Sequence, residues 1–112
     1  TLNGYKLAHA LLPSIGTTSE IIETCSCICR AARTYARLQE DRCNRGLSDK
    51  EEILETKLRS RIASLCYDLP PVGGKAIIPD FSGDPRGATV KLRMPDGRSD
   101  DWGNVGICVP GA

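Results

Sequence analysis

The sequence predicts an α+β fold, in which an antiparallel helical hairpin packs on a small C-terminal antiparallel β-sheet. Three observations predict it. Two long runs carry apolar residues at helical spacing behind capping signals, "CNRG" separates them by a short turn, and after Pro70-Pro71 the pattern changes to strict alternation. At 112 residues the chain reads as one domain, helical over 1–69 and β over 70–112.

The first element, "NGYKLAHALL" over residues 3–12, reads as a short helix capped by Asn3. Gly4 weakens it, and "PSIG" breaks it. His9, the only histidine, lies here and is given no role. Thr17 and Glu20 then have capping-box spacing. Ile21, Ile22, Cys25, Ile28, Cys29, Ala32, Tyr35 and Ala36 follow at helical period, so a helix is expected from about 18 to 43, ended at Gly46. Ser48 and Glu51 form a second capping box. Asp49, Glu51 and Glu52 suit the positive end of that helix, which should run over about 49–68 with Leu54, Leu58, Ile62, Leu65 and Cys66 on its buried face. A short connection makes the two helices antiparallel neighbours.

After "PPVGG", residues 75–81 read as a strand in which Pro79 suggests an edge or a bulge. "SGDPRG" is turn chemistry. "ATVKLRM" places Val90, Leu92 and Met94 on one face and Thr89, Lys91 and Arg93 on the other. "PDG" turns again, and "RSDDWG" with "NVGICVP" supplies one or two more short strands.

Composition excludes several function classes. Fifteen Lys and Arg against fourteen Asp and Glu give a net charge of +1, with no global steering toward nucleic acid or anionic membrane. Aromatic residues are 4%, few for a binder of single strands. No apolar run is long enough to span a bilayer, and the first residues lack a secretion signal. The six cysteines have no CxxC pair. In a helix Cys25 and Cys29 share a face that Cys27 does not, so they read as buried thiols in a reducing cytosol rather than as a zinc or disulfide framework. No metal or cofactor is implied.

No catalytic motif is present. Asp84, or the pair Asp100 and Asp101, could do acid/base work, but nothing in the spacing selects them, so no enzyme is expected. The two polar turns are more suggestive. In the first, Pro85 fixes φ, Asp84 caps its own turn, Gly83 and Gly87 let a partner approach, and Arg86 projects. The second offers Arg98, Ser99, Asp100 and Asp101, followed by Trp102. The turns lie at opposite ends of one strand, ~20 Å apart. A single small ligand would therefore meet Arg86 or Lys91 of one chain and Arg98 of another. Arginine forks with an aromatic plate suit a base and its phosphates. A plainer account is a salt-bridged hairpin with Phe81 and Trp102 in the core. Arg30, Arg33 and Arg37 form a basic helix stripe. Its default reading is a solvated face, and the alternatives are an oligomer seam or a second anion site.

The segment "FSGDPRGATVKLRMPDGRSDDWGNVGICVP" resembles a widespread class of small phage- and prophage-encoded proteins that carry a "GDPRG" hairpin, an alternating strand and a "GR…W" segment. The chain is also similar to the Thoeris anti-defence sponge family, phage proteins that sequester cyclic ADP-ribose isomers made by bacterial TIR enzymes. That resemblance implies a small α+β homo-oligomer in the cytoplasm of an infected or lysogenic bacterium. It implies a ligand held by Phe81, Asp84, Arg86, Arg98 and Asp100. The expected function is therefore non-enzymatic sequestration of a nucleotide immune signal, a cyclic ADP-ribose isomer or a cyclic oligonucleotide. The alternatives are an anti-CRISPR-like inhibitor of a host defence protein and a small nucleic-acid-binding regulator using the arginine stripe.

Overall fold

The computed structural model describes residues 3–12, 16–72, 74–81, 90–95 and 102–108, with backbone alone at 94–95 and 102–108. Among the described residues three helices, α1 (Gly4–Leu11), α2 (Ser19–Asn44) and α3 (Asp49–Tyr67), precede three strands, β1 (Ile78–Asp80), β2 (Val90–Pro95) and β3 (Trp102–Cys108). The class is α+β. The asparagine cap of α1 forms as its position predicts, with Asn3 Oδ1 accepting from the Lys6 amide at 2.9 Å. For α2 the expectation was off by one residue. Thr18, not Thr17, is the cap, and its Oγ1 accepts from the Ile21 amide at 3.2 Å. The Ser48–Glu51 capping box of α3 is complete in both directions, at 3.3 and 3.1 Å.

Gly4 is the first residue of α1, and its backbone lies directly against α2. A Cβ there would meet the Ser26 side chain and would come within 2.7 Å of the Ile22 carbonyl oxygen and 2.8 Å of the Ser26 nitrogen. The glycine thus sets how closely two helices approach, rather than only weakening one. Between α2 and α3 the chain turns at Gly46, whose φ of 79° is left-handed and whose amide donates to the Asp41 carbonyl at 3.0 Å.

Side-chain pairs climb α2 as they descend α3: Tyr35 with Arg59, Gln39 with Glu55, Arg42 with Glu52. The two helices therefore run antiparallel. The third helix departs from the expected buried face. Leu54 is 41% exposed, while its neighbour Glu55 is 5% exposed and takes the inward position. Ile62 and Cys66 are buried as expected, with Leu58 and Leu65 partly so. One apolar cluster joins Leu7 and Leu11 of α1, Cys25, Ile28 and Tyr35 of α2, Ile62 and Cys66 of α3, and Ile77, Val90 and Leu92. Each fully buried large side chain in it contributes about 1.5–3 kcal/mol.

The sheet has the order β1-β2-β3, with both pairings antiparallel. The first strand is shorter than the 75–81 expected. Val72 and Lys75 instead close a tight bridge around Gly74, at φ 77°, with amide–carbonyl distances of 2.9 and 3.0 Å. Pro79 sits on the edge strand, where its missing N–H costs the ladder least. In β2 the alternation is as read: Val90 and Leu92 are buried, Lys91 and Arg93 exposed. The described part of "RSDDWG" and "NVGICVP", Trp102–Cys108, is the strand β3, and its register against β2 slips between Val90 and Lys91.

Among the described residues Cys25, Cys27, Cys29, Cys43 and Cys66 form no disulfide. Burial pushes Cys25 up to about 11, with Cys29 adding to the effect. Burial pushes Cys66 up to about 12, with Cys25 adding. The buried thiols Cys25 and Cys66 thus behave as small apolar side chains. No helix among the described residues is long and apolar enough to cross a membrane.

Candidate functional site

The predicted site residues fall into three groups. Asp84, Arg86, Arg98 and Asp100 lie outside the described residues, and of Trp102 only the backbone is described, opposite Pro95 in the β2–β3 register. Lys91 is exposed on β2 and faces Asp80 in the β1–β2 register. Phe81 is half-buried. Its ring lies 5.2 Å from that of Tyr35 at a tilt of 57°, and the Arg59 guanidinium stands 6.0 Å from its centroid. The ring therefore has a packing partner on the helices.

The third group is the arginine stripe, and here the structure separates what the spacing joined. Successive side chains on a helix turn by about 100°, so Arg33 leans to one flank of Arg30 while Cys27 and Ala31 lie on the other. Packing of α1 on α2 makes a cleft on the first flank. Its volume is about 310 Å³, and Asn3, Gly4, Glu23, Ser26, Cys29, Arg30 and Arg33 line it. Arg37 is exposed on the same ridge, about 10.5 Å beyond Arg30 along the axis, and is not among the lining residues.

Two arginines, one carboxylate and a serine hydroxyl meet in this cleft. A guanidinium group is a planar fork that suits phosphate or carboxylate oxygens, and Arg33 already makes an interaction within the protein. Glu23 supplies a carboxylate suited to neighbouring ligand hydroxyls. Ser26 donates its hydroxyl proton to the Ile22 carbonyl at 2.9 Å, which leaves its oxygen as an acceptor. From the sequence Asn3 was read only as a helix cap and Gly4 only as a weakness, and Glu23 and Ser26 were not singled out, because α1 and α2 meet only in the fold.

A second polar centre lies between α2 and α3. Buried Glu55 accepts from Gln39 Nε2 at 2.6 Å, from Arg42 Nη2 at 2.7 Å and from Arg59 Nη2 at 3.2 Å. Arg42 also grips Glu52 with both nitrogens, at 3.0 and 2.8 Å. Arg59 spans Glu55 and the Tyr35 hydroxyl, to which its Nε donates at 3.2 Å. Burial pushes the Glu55 carboxyl up, but the bonds from Arg42 and Gln39, together with the charges of Arg42 and Arg59, outweigh it and leave the group below its usual range. Every strong partner of Glu55 is already spent inside the protein, so the centre reads as a clamp joining the helices.

That clamp has a pH signature. Because the folded state holds the Glu55 carboxyl lower than the unfolded chain does, its stabilisation is present above the unfolded value of about 4.3 and is lost as pH falls through the lower folded value. Glu55→Gln is expected to be less stable than the parent by about 1 kcal/mol at pH 7, a modest figure because Arg42 and Arg59 are themselves partly solvated. The difference should narrow as pH falls below about 4.3, towards the lower folded value. Urea titrations from pH 7 downward measure it, and a gap that does not narrow on acidification would contradict the assignment.

Comparisons with protein-family models, with curated proteins and with solved structures returned no match.

Proposed function

We propose that the chain is a non-enzymatic binding protein for a small phosphorylated nucleotide. Its role in this proposal is to sequester a nucleotide immune signal, a cyclic ADP-ribose isomer or a cyclic oligonucleotide, in an infected or lysogenic bacterium. The observation that carries it is the α1–α2 cleft, with Arg30 and Arg33 in one lining. Its volume falls at the lower end of the range for ligand-sized pockets. Two arginine forks answer phosphate oxygens, and the Glu23 carboxylate answers ribose hydroxyls. Sequestration demands tight binding and no bond-breaking, so a recognition site alone suffices.

The resemblance of the C-terminal third supplies the rest of the proposal. There the antiparallel hairpin of α2 and α3 is the scaffold on which the C-terminal sheet is laid. Copies of the chain assemble so that Arg86 or Lys91 of one and Arg98 of another share a ligand, with Asp84, Asp100 and Trp102 around it and the Phe81 ring packed on Tyr35.

The test is a thermal-shift and calorimetric panel of cyclic ADP-ribose isomers, linear ADP-ribose and cyclic oligonucleotides. A binder present at 100 times its Kd should add about 2.7 kcal/mol of stability. Mass spectrometry after denaturation should recover it unchanged. Arg30→Ala with Arg33→Ala should weaken binding by at least about 100-fold, since each removes charge-assisted hydrogen bonds. No shift with any member at 100 µM (~10⁻⁴ M, about −5.5 kcal/mol) would sink the proposal, and recovery of a cleaved product would replace it with an enzyme.

A further inference from the structure

We propose that Arg30 is shared by two clefts, and that this face takes a diphosphate group whose second phosphate is held by Arg61 of α3; the proposal rests on the phosphate reading of the α1–α2 cleft. The second cleft lies on the other flank of Arg30, between α2 and α3. It measures about 220 Å³ and is lined by Cys27, Arg30, Ala31, Thr34, Leu58 and Arg61. Arg30 is the residue common to both linings.

Height along the helices brings the three arginines together. The pairs Arg42–Glu52, Gln39–Glu55 and Tyr35–Arg59 fix the register of α2 against α3. Each step up one helix is a step down the other. Continued by two residues beyond Tyr35–Arg59, the register sets Arg61 level with Arg33. Arg30 stands three residues away, about 4.5 Å along the axis. Arg33 and Arg61 therefore flank Arg30 at one level, each in its own cleft.

Charge on the helix pair is divided unevenly. Toward the α2–α3 turn, Arg42, Arg45 and Arg59 are all matched to carboxylates, at 2.7–3.2 Å. Among the described residues neither Arg30 nor Arg61 makes an ion pair. Arg30 instead donates through Nη2 to the Cys27 sulfur at 3.3 Å. A thiol sulfur is a weak acceptor and takes one of five guanidinium N–H groups. The contact leans Arg30 toward the second cleft and leaves the rest of its fork available. A single phosphate answers one cleft; a diphosphate, with charge on two linked centres, answers both. Leu58 and Ala31 give the second cleft an apolar floor, where a charge-assisted bond is less screened than on an open surface.

The experiment is calorimetry on the full chain with inorganic pyrophosphate, orthophosphate and ADP. Pyrophosphate is expected to bind at least about 10-fold more tightly than orthophosphate, the gain of one further arginine contact. Arg61→Ala should remove that advantage and leave orthophosphate unchanged, whereas Arg33→Ala should weaken both. Lys50→Ala removes equal charge elsewhere on α3 and should change neither. ADP binding more tightly than pyrophosphate would make a nucleotide the source of the diphosphate; equal binding would point to the free anion. Both results support the two-cleft site. Pyrophosphate affinity that survives Arg61→Ala but not Arg33→Ala overturns the two-cleft site and leaves the α1–α2 reading standing. Absence of binding by all three probes overturns both. Arg61 is exposed, and an unchanged melting temperature of its variant confirms that folding is not the cause.

Discussion

Gly4→Ala is expected to lower stability by about 2–3 kcal/mol, which for a domain of this size is a fall in Tm of roughly 8–15 °C. Helix propensity alone predicts the reverse, because alanine is favoured over glycine by about 1 kcal/mol inside a helix. Tertiary geometry decides the sign. The new methyl group would meet three atoms of α2, and two of them, the Ile22 carbonyl oxygen and the Ser26 nitrogen, belong to the backbone of a long helix. Neither can rotate away, so α1 must shift outward. That shift loosens Leu7, Leu11 and Leu12, all fully buried or nearly so. Ser26→Ala would relieve only the side-chain contact, so the double variant should recover less than half of the loss. Urea denaturation of the three variants measures this. The cleft gives a second readout: Gly4 lines it together with Arg30 and Arg33, so a displaced α1 should also weaken phosphate binding. A Gly4→Ala protein more stable than the parent would show that α1 does not cross α2 at this distance.

The same glycine shows where the sequence ran out. Most of what neighbours along the chain carry was legible, although the cap of α2 fell one residue later than read and the first strand proved shorter. Asn3 and the Ser48–Glu51 pair announced their helix starts, Gly46 its turn, and Val90 and Leu92 the inward face of a strand. Each of these is decided by residues within about five positions of one another. What needed a second element was not legible. Glycine at the start of α1 reads as a weakness until α2 is laid against it. Leu54 looks like the buried residue of its turn, because an isolated period favours leucine over glutamate. Glu55 takes the place because Gln39, Arg42 and Arg59 converge there and satisfy a carboxylate that would otherwise be costly to bury. The arginine stripe was visible as a spacing, but not its division into two flanks. That depends on α1 lying on one side of the ridge and α3 on the other. Arg61 carried no signal at all in its own stretch of sequence.

Tyr35→Ala is expected to be the most damaging single change, costing about 3–5 kcal/mol out of the 5–15 kcal/mol typical of such a domain. Tyr35 is 1% exposed and joins three structural layers at once. Its ring packs on Phe81, which immediately follows β1, and the Arg59 guanidinium lies 5.6 Å from its centroid. Its hydroxyl accepts from Arg59, which in turn holds Glu55. Truncation leaves a cavity between the helices and the start of the sheet, and it frees both Phe81 and Arg59. Tyr35→Phe keeps the packing and removes one hydrogen bond to a half-solvated arginine. Its cost should stay near the low end of about 0.5–1.5 kcal/mol. The comparison bears on function through Phe81. If its ring works chiefly by packing on Tyr35, Phe81→Leu should lower stability by about 1 kcal/mol, the worth of an aromatic pair. It should then leave the Kd of the phosphate probes and of any nucleotide binder within about 3-fold, below 1 kcal/mol. A Kd raised 10-fold or more with stability intact would instead assign the ring to the ligand. We expect the first result, because the helices already supply Phe81 with a ring on one side and a guanidinium beside it.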